Sequence, residues 1–557
     1  MDAKAITPLD ALFVGYEDQE YLGLGWITAT LNSGGWRAAV QQHTPGSASA
    51  VLSAIEARRP KLVGFSISYQ PLLEEFGALM RALREAGVTA HFTCGGHYPS
   101  LRPRETLEAL PHLDSVVRFE GELTTLELME HLEAPERWPA IRGLAFRQGA
   151  GVVVTPPRPL IPDLDSLPLP VRNEPRVTGR GIRTASVLAS RGCMNDCWFC
   201  SIHPFYAGAP GPLRRVRSPE AVVGEMRELF DRDGVRLFVF QDDDFAARSR
   251  QQQQWLAEYL DALDRAGLGD QIGWRVACRV DDVDEDVIAA CARRGLVFAF
   301  LGVESGSPAG LRSMNKRVTV EQNLQAIATL KKLDIPFEMG FILFDPDSTL
   351  DSVQEDIDFL REVTADGRCP ASFTKMLPYA GTPIEDRLAR EGRLRGTRAW
   401  PDYTYLDERL NWFGLFTSRT FQFRNFDWFG LVKRLRLARF DRVLASRFQP
   451  GPGVDEYGRE LTRLTALTNG LALDTLQRAL DFVKVRDGPG IARDFPALDY
   501  LTRIEMEAEA GLQRELDAIL ACHGPQLLES FSVEYARRAA DGDFDGDPLS
   551  IRTRPGG

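Results

Sequence analysis

Along the first 150 residues, short apolar runs alternate with longer amphipathic stretches. The runs "DALFVGY", "KLVGFSIS", "TAHFTCGG" and "LDSVVRFEGE" are each bounded by small or acidic residues, and stretches such as "LLEEFGALMRALREAG" between them repeat apolar positions at helical spacing. This order predicts an α/β domain over residues 1–150, an open parallel sheet with crossover helices of the doubly wound, Rossmann-like kind. Such sheets bind ligands beyond the C-terminal ends of their strands. The loops at those ends read "YLGLG", "SISYQ", "CGGHYPS" and "FEGE".

Seven prolines between Thr155 and Pro175 rule out regular helix and predict an extended linker over residues 151–185. Strand and helix patterns then alternate again: "TASVLAS", "VRLFVFQDDDF", "IGWRVACRV", "FAFLGVESG", "PFEMGFILF" and "ASFTKMLPY" are separated by helical stretches. Six such pairs predict a partial parallel (β/α)6 barrel over residues 186–390, with its chemistry on the loops that follow the strands. Residues 391–540 read as a mostly helical C-terminal domain. Its aromatics from Tyr403 to Trp428 are candidates to complete a substrate pocket, with core packing as the alternative. The acidic tail 541–557 is expected to be disordered. It opens like a calcium loop at Asp541, Asp543 and Asp545 but has Arg552 at the twelfth position.

Charge and cysteine usage narrow the chemistry. The 557 residues carry 66 Lys and Arg against 78 Asp and Glu, a net charge of -12, which gives no support to nucleic acid as a partner. The N-terminus lacks a signal-like pattern and no window reaches the roughly 18 apolar residues of a membrane span, so a cytoplasmic protein with no membrane partner is expected. Cysteines are kept reduced there, so the crowded Cys193, Cys197 and Cys200 read as metal or redox ligands. A zinc site completed by His203 is one reading. Three thiolates in a loop after the first barrel strand also suit three irons of a [4Fe-4S] cluster, leaving the fourth iron open to a chelating substrate.

The C-x3-C-x2-C pattern with Phe199 before its last cysteine resembles the signature of the radical S-adenosylmethionine (radical SAM) superfamily. The resemblance implies that Cys193, Cys197 and Cys200 hold the cluster and that Phe199 lies near the adenine of S-adenosylmethionine. Three further stretches match that family. "FQDDDF" supplies Asp242 and Asp243, "CRVD" supplies Arg279, and "ESGS" followed by "LRSMNKRVT" supplies Glu304 and Ser305 as implied contacts of the methionine and ribose groups. Arg275 shares the strand face of Arg279, and Met314 reads as core. The chain departs from the family in "FILFDPDST", where small residues are usual, and at Ala380, where proline is usual.

The glycine loops of the first domain resemble the cobalamin-binding domain that precedes the barrel in one branch of this family. That resemblance implies cobalamin contacts at Leu22, Gly23, Gly25, Ser66, Ser68, Gly95, Gly96, Glu120 and Gly121. The methylthio-transferring branch brings three extra cysteines in this domain, whereas only Cys94 occurs here. A D-x-H-x-x-G cobalt ligand is absent, so base-off cobalamin is expected, with His97 as a polar loop residue. Together the resemblances imply a cobalamin-dependent radical SAM C-methyltransferase acting through a 5′-deoxyadenosyl radical and methylcobalamin. Its substrate would be an unactivated carbon of a small metabolite, as in antibiotic and other natural-product biosynthesis, and its electron donor an external flavodoxin or ferredoxin. An oxidative cyclase or rearrangement enzyme with the same cofactors, and a sensor without turnover, are the alternatives. No residue is assigned as catalytic acid, base or nucleophile.

Overall fold

The computed structural model describes residues 8–16, 20, 22–44, 46–245, 248–427 and 429–523. The expected acidic tail, its calcium-like loop and Trp428 lie outside them. The first sheet is formed by β1 (Ala11–Tyr16), β2 (Ala38–His43), β3 (Leu62–Ser66), β4 (His91–Gly95), β5 (Ser115–Val117), β6 (Leu144–Gln148) and β7 (Gly151–Val154), in the order β2-β1-β3-β4-β5-β6-β7. Strands β1 to β5 are parallel and are joined by helices on both faces, as the alternating pattern predicts. The β6–β7 hairpin is antiparallel and carries this sheet a few residues past position 150. Continuous burial along β1 and β3 follows from that cover, because a parallel strand sandwiched between helices has no wet face.

The proline-rich linker runs extended along the domain boundary, interrupted by one short 3-10 turn at Leu164–Ser166. Val171 donates its N–H to the Gly25 carbonyl at 3.1 Å, which ties the linker to the first domain.

The second sheet contains β8 (Arg176–Val177), β9 (Arg183–Val187), β12 (Val235–Phe240), β13 (Gly273–Arg279), β14 (Leu296–Glu304), β15 (Phe337–Phe344) and β16 (Thr374–Lys375), with a small antiparallel ribbon of β10 (Ser190–Arg191) and β11 (Arg215–Val216) beside it. The strands β9, β12, β13, β14, β15 and β16 are parallel and follow each other in that spatial order, a curled half-barrel. The outer helices begin where the sequence supplies caps. Ser249 with Gln252, and Thr319 with Gln322, each form a reciprocal capping box at a helix start.

The C-terminal region is helical, with long helices at Glu408–Phe426, Leu431–Phe448, Val454–Lys484 and Pro496–His523. Leu473, Leu476 and Leu480 belong to the same apolar cluster as Ile357 and Leu360 of the barrel, so this region shares a core with the half-barrel. The aromatic patch is part of that core. Tyr403, Tyr405, Phe413, Phe416 and Phe421 are buried and packed edge to face or stacked, so they are not the wall of a pocket. The edge-on geometry suits aromatic quadrupoles and explains why so many rings cluster in one stretch of sequence.

Candidate functional site between the two sheets

The C-terminal ends of both parallel sheets face one another, and the cysteine loop lies between them. Cys193, Cys197 and Cys200 follow β10 and precede the helix Ile202–Ala207. The loop is held from outside by the segment after Glu304. Trp198 donates its N–H to the Met314 carbonyl at 3.0 Å, Asn315 Nδ2 donates to the Asp196 carbonyl at 3.0 Å, and Arg317 pairs with the Asp196 carboxylate at 2.9 Å. Met314 itself is buried core, as expected. The motif that resembles a binding signature is thus also the clamp on the cysteines.

All eight cysteines are free thiols. Burial, with Asp244 nearby, pushes the Cys193 thiol up to about 11, and burial pushes Cys200 up to about 12. Neutral thiols in a dry loop are poor nucleophiles but become thiolates on binding metal, which releases their protons. Among the described residues no group of three or more His, Cys, Asp or Glu is placed to hold a single metal ion. Thiols spread around a loop suit a multi-iron cluster, in which each takes its own iron, better than a tetrahedral zinc site with His203.

The three aspartates after β12 have three different jobs. Asp242 is buried and accepts from the Ala189 N–H at 3.0 Å and the Ser190 hydroxyl at 2.5 Å, so it braces the start of the cysteine loop. Asp243 accepts from the Gly192 N–H at 2.8 Å and lines the cavity described below. Asp244 is buried, with Oδ1 unpartnered and Oδ2 near the Cys193 thiol and Asn195. Burial raises Asp242 and Asp243 to about 6.

Arg279 ends β13 buried beside the loop. Its Nε donates to Asp281 at 2.9 Å, Nη2 donates to the Lys316 carbonyl at 2.7 Å, and Nη1 points at Cys197 Sγ at 3.4 Å. The guanidinium fork is therefore already engaged on one side by Asp281, two residues along the chain. Glu304 occupies the left-handed region at φ 68° and accepts from Lys316 Nζ at 3.1 Å. A non-glycine residue held there is strained, and such strain concentrates at ligand sites. Ser305 behaves differently: its hydroxyl donates to Asp356 at 2.8 Å, away from the sheet ends, leaving only its backbone near them.

A cavity of about 550 Å³ opens between the domains. Leu22, Gly23, Ser66, Ser68, Gly95, Gly96, Glu120 and Gly121 line it from the first sheet, and Phe199, Cys200 and Asp243 from the half-barrel. Gly25 does not: a Cβ there would meet the Val171 carbonyl at 2.5 Å, so its small size serves linker packing. Gly96 has φ 120°, and a Cβ there would lie 2.3 Å from the Ile67 carbonyl. A Cβ at Gly23 would meet nothing within 4 Å, so this residue presents bare backbone to open space. The carboxylate of Glu120 is taken by Arg191, Arg215 and the Ile161 N–H, so it supports the cavity wall.

Sequence reasoning missed Tyr206, Tyr379 and Arg191, which also line the cavity: they flank the cysteine motif and Ala380, and position beside a motif does not tell which side chains the fold turns inward. His97, which burial holds neutral with its value lowered to about 4, hydrogen-bonds Ser201 at 3.0 Å and stacks on Phe205. It joins the glycine loop to the residue after Cys200.

Residues 11–129 match the B12 binding domain and residues 187–360 the Radical SAM superfamily. The chain is 28% identical over 362 residues to an uncharacterized methyltransferase of Pyrococcus horikoshii, covering 64% of this chain and 76% of that one. It is 30% identical over 307 residues to the anaerobic magnesium-protoporphyrin IX monomethyl ester cyclase of Cereibacter sphaeroides, covering 53% of this chain and 48% of that one. The fold resembles the cobalamin-dependent S-adenosylmethionine radical enzyme OxsB, solved with aqua-cobalamin and S-adenosylmethionine bound. The TM-score is 0.68 at 16% identity, over 96% of this chain and 84% of that one.

Proposed function

We propose a reaction for this chain from the premise that it is a radical SAM enzyme of the branch with an N-terminal B12-binding domain: methyl transfer to an unactivated carbon of a small molecule. The observation that carries the proposal is the single cavity on which the glycine loops of the first sheet and the cysteine loop of the half-barrel converge. When bound, the [4Fe-4S] cluster supplies the electron that cleaves S-adenosylmethionine and cobalamin supplies a methyl carrier.

The chain's own residues hold, orient and keep dry. Cys193, Cys197 and Cys200 would take three irons, and the Met314–Arg317 segment fixes their spacing. Asp243 and Glu304, carboxylates at strand ends, suit the ammonium and ribose groups of S-adenosylmethionine, and Arg279 Nη1 its carboxylate. Phe199 offers a flat face for adenine. Gly23 and Gly96 let backbone approach a large planar ring, while the Ser66 and Ser68 hydroxyls offer hydrogen bonds to it. The buried ion pairs around Arg191 close the rim against water.

The test is anaerobic reconstitution with iron, sulfide and cobalamin, then incubation with a low-potential reductant, S-adenosylmethionine and candidate substrates, followed by quantitation of both S-adenosylmethionine products. Methyl transfer yields 5′-deoxyadenosine and S-adenosylhomocysteine together in equal amounts. Deoxyadenosine alone would refute methyl transfer and favour the cyclase or rearrangement alternative, the first of which is the chemistry named for the Cereibacter relative. An external flavodoxin or ferredoxin as electron donor and a cytoplasmic location complete the proposal. Among the described residues no helix is long and apolar enough to cross a membrane.

A further inference from the structure

A second cavity, of about 430 Å³, lies where the half-barrel strands β9, β12 and β13 meet Tyr16 and Gln42 of the first sheet, the linker around Val171 and the helix Leu431–Phe448. Ser186 of β9, Val239 and Gln241 at β12, and Arg275 of β13 line it from the sheet, and Phe440 of the helix Leu431–Phe448 faces them. Arg275 stands mid-strand, in register with Val239 on one side and Phe298 on the other, and its side chain opens into this space. Its guanidinium carbon lies 5.8 Å from the Phe298 ring centroid and 6.0 Å from that of Phe440. Among the described residues no carboxylate lies within 4 Å of it and no acceptor takes a hydrogen bond from it.

Of the other cations that line or border the cavity, Arg176 and Lys433 have partners of their own. Arg172 pairs with Glu20 and Glu225 and Arg180 with Asp441, while Glu338 of β15 lies 3.5 Å from Arg436 and acts on Arg275 only at longer range, outside ion-pair distance. The Arg275 side chain is exposed to the space of this cavity and is acted on electrostatically by Glu338, but none of the described residues accepts a hydrogen bond from it, so its N–H groups are available to a ligand. They form a planar fork matched to a carboxylate or phosphate. The chain's net charge of -12 offers no general attraction for anions, so the recognition is local.

The two cavities meet. Glu20 and Gln241 line both, and the Gln241 amide donates to the Ser186 hydroxyl at 3.2 Å at the junction. Gln241 lies two residues beyond Val239, so the Arg275 level is about 7 Å along the strands from the junction.

We infer that the half-barrel cavity is the substrate site and that Arg275 grips an oxyanion of the substrate, a carboxylate or a phosphate ester. The substrate then extends from Arg275 toward Gln241, placing its reacting carbon at the mouth of the first cavity. This rests on the reading of the chain as an enzyme acting on a small molecule, but it concerns binding and not the fate of the methyl group.

The test titrates reconstituted holoenzyme, without S-adenosylmethionine, with 3-phenylpropionate, phenyl phosphate and neutral 3-phenylpropanol by calorimetry. In parallel, phenylglyoxal labelling of Arg275 is read by peptide mass spectrometry. One of the two anions should bind, the alcohol should not, and the bound anion should block labelling. Its Kd should rise about tenfold or more in Arg275→Gln, with unchanged cluster and cobalamin absorbance. The anion that binds tells carboxylate from phosphate. The inference is overturned if neither anion binds, or if Arg275→Gln binds the anion as well as the parent. Should Arg275→Gln misfold, labelling of the parent decides, and labelling unchanged by either anion overturns the inference. A failure of the methyl-transfer reading would show separately, as turnover without S-adenosylhomocysteine.

Discussion

The glycines separate what sequence can and cannot tell at the scale of single residues. Gly23, Gly25 and Gly96 look alike in the glycine-rich loops, yet Gly25 packs on the linker, Gly96 needs its positive φ, and only Gly23 is free of both constraints. Gly23 lies in the helix Leu22–Ser33, where alanine is favoured over glycine by roughly 0.5–1 kcal/mol. Gly23→Ala is therefore expected to hold or slightly raise the Tm of the cofactor-free protein while weakening cobalamin retention, measured by absorbance after gel filtration. Unchanged retention would remove the role given to bare backbone at this position. The cysteines were readable because ligand spacing is local along the chain. Cys197→Ser should abolish [4Fe-4S] absorbance and bound iron after reconstitution, and a protein that still cleaves S-adenosylmethionine would refute the assignment. Asp242 and Asp243 were not separable in advance, since adjacent residues at a strand end differ only in which way the turn points them. Here Asp242 turns to the backbone and Asp243 to the cavity.

Among elements, the segment after β14 is the most informative. Its motif was legible, but its second role as a clamp on the cysteine loop was not, because that role depends on contacts about 120 residues distant, such as Asn315 to Asp196. Asn315 also sits at φ 50°, a conformation asparagine tolerates better than alanine. Asn315→Ala loses a hydrogen bond and adds backbone strain, about 2 kcal/mol together. Iron should still load, with faster bleaching of the cluster under a chelator. Ser305 and Gly306 anchor the same turn on Asp356, whose carboxyl burial pushes up to about 8. A carboxyl with a raised folded-state value keeps its proton in the folded protein where the unfolded chain releases it. Its contribution to stability is fully present at low pH and is lost as pH rises from about 4 to about 8. In that window wild type should lose about 1.4 kcal/mol per pH unit more than Asp356→Asn, which mimics the protonated acid. Equal slopes in denaturant titrations at pH 5.5 and 7.5 would contradict this.

Taken whole, the molecule places two sheets end to end around one cavity, and nothing in the periodicity of either half announces that arrangement. Alternation reported two α/β units and a proline-rich connector. The contacts that orient them are charged side chains whose pairing across the boundary no motif specifies. Glu120, on the loop after β5, takes both Arg191 and Arg215 from the barrel side, and Glu122 pairs with Arg191 at 2.6 Å. Arg215 and Glu120 are nearly inaccessible, with side-chain exposures of 3% and 7%. Removing one partner of such a pair leaves an uncompensated buried charge, a loss of about 3–5 kcal/mol. An exposed pair such as Lys61 with Glu133, at 56% and 80% exposure, contributes less than about 1 kcal/mol. Glu120→Gln should therefore split a shared calorimetric transition into two and weaken cobalamin retention, although both oxygens of Glu120 face protein donors. Glu133→Gln should do neither. If the two variants melt alike, the domains are held together by the linker and not by these pairs, and the geometry of the shared cavity would then depend on the bound cofactors themselves.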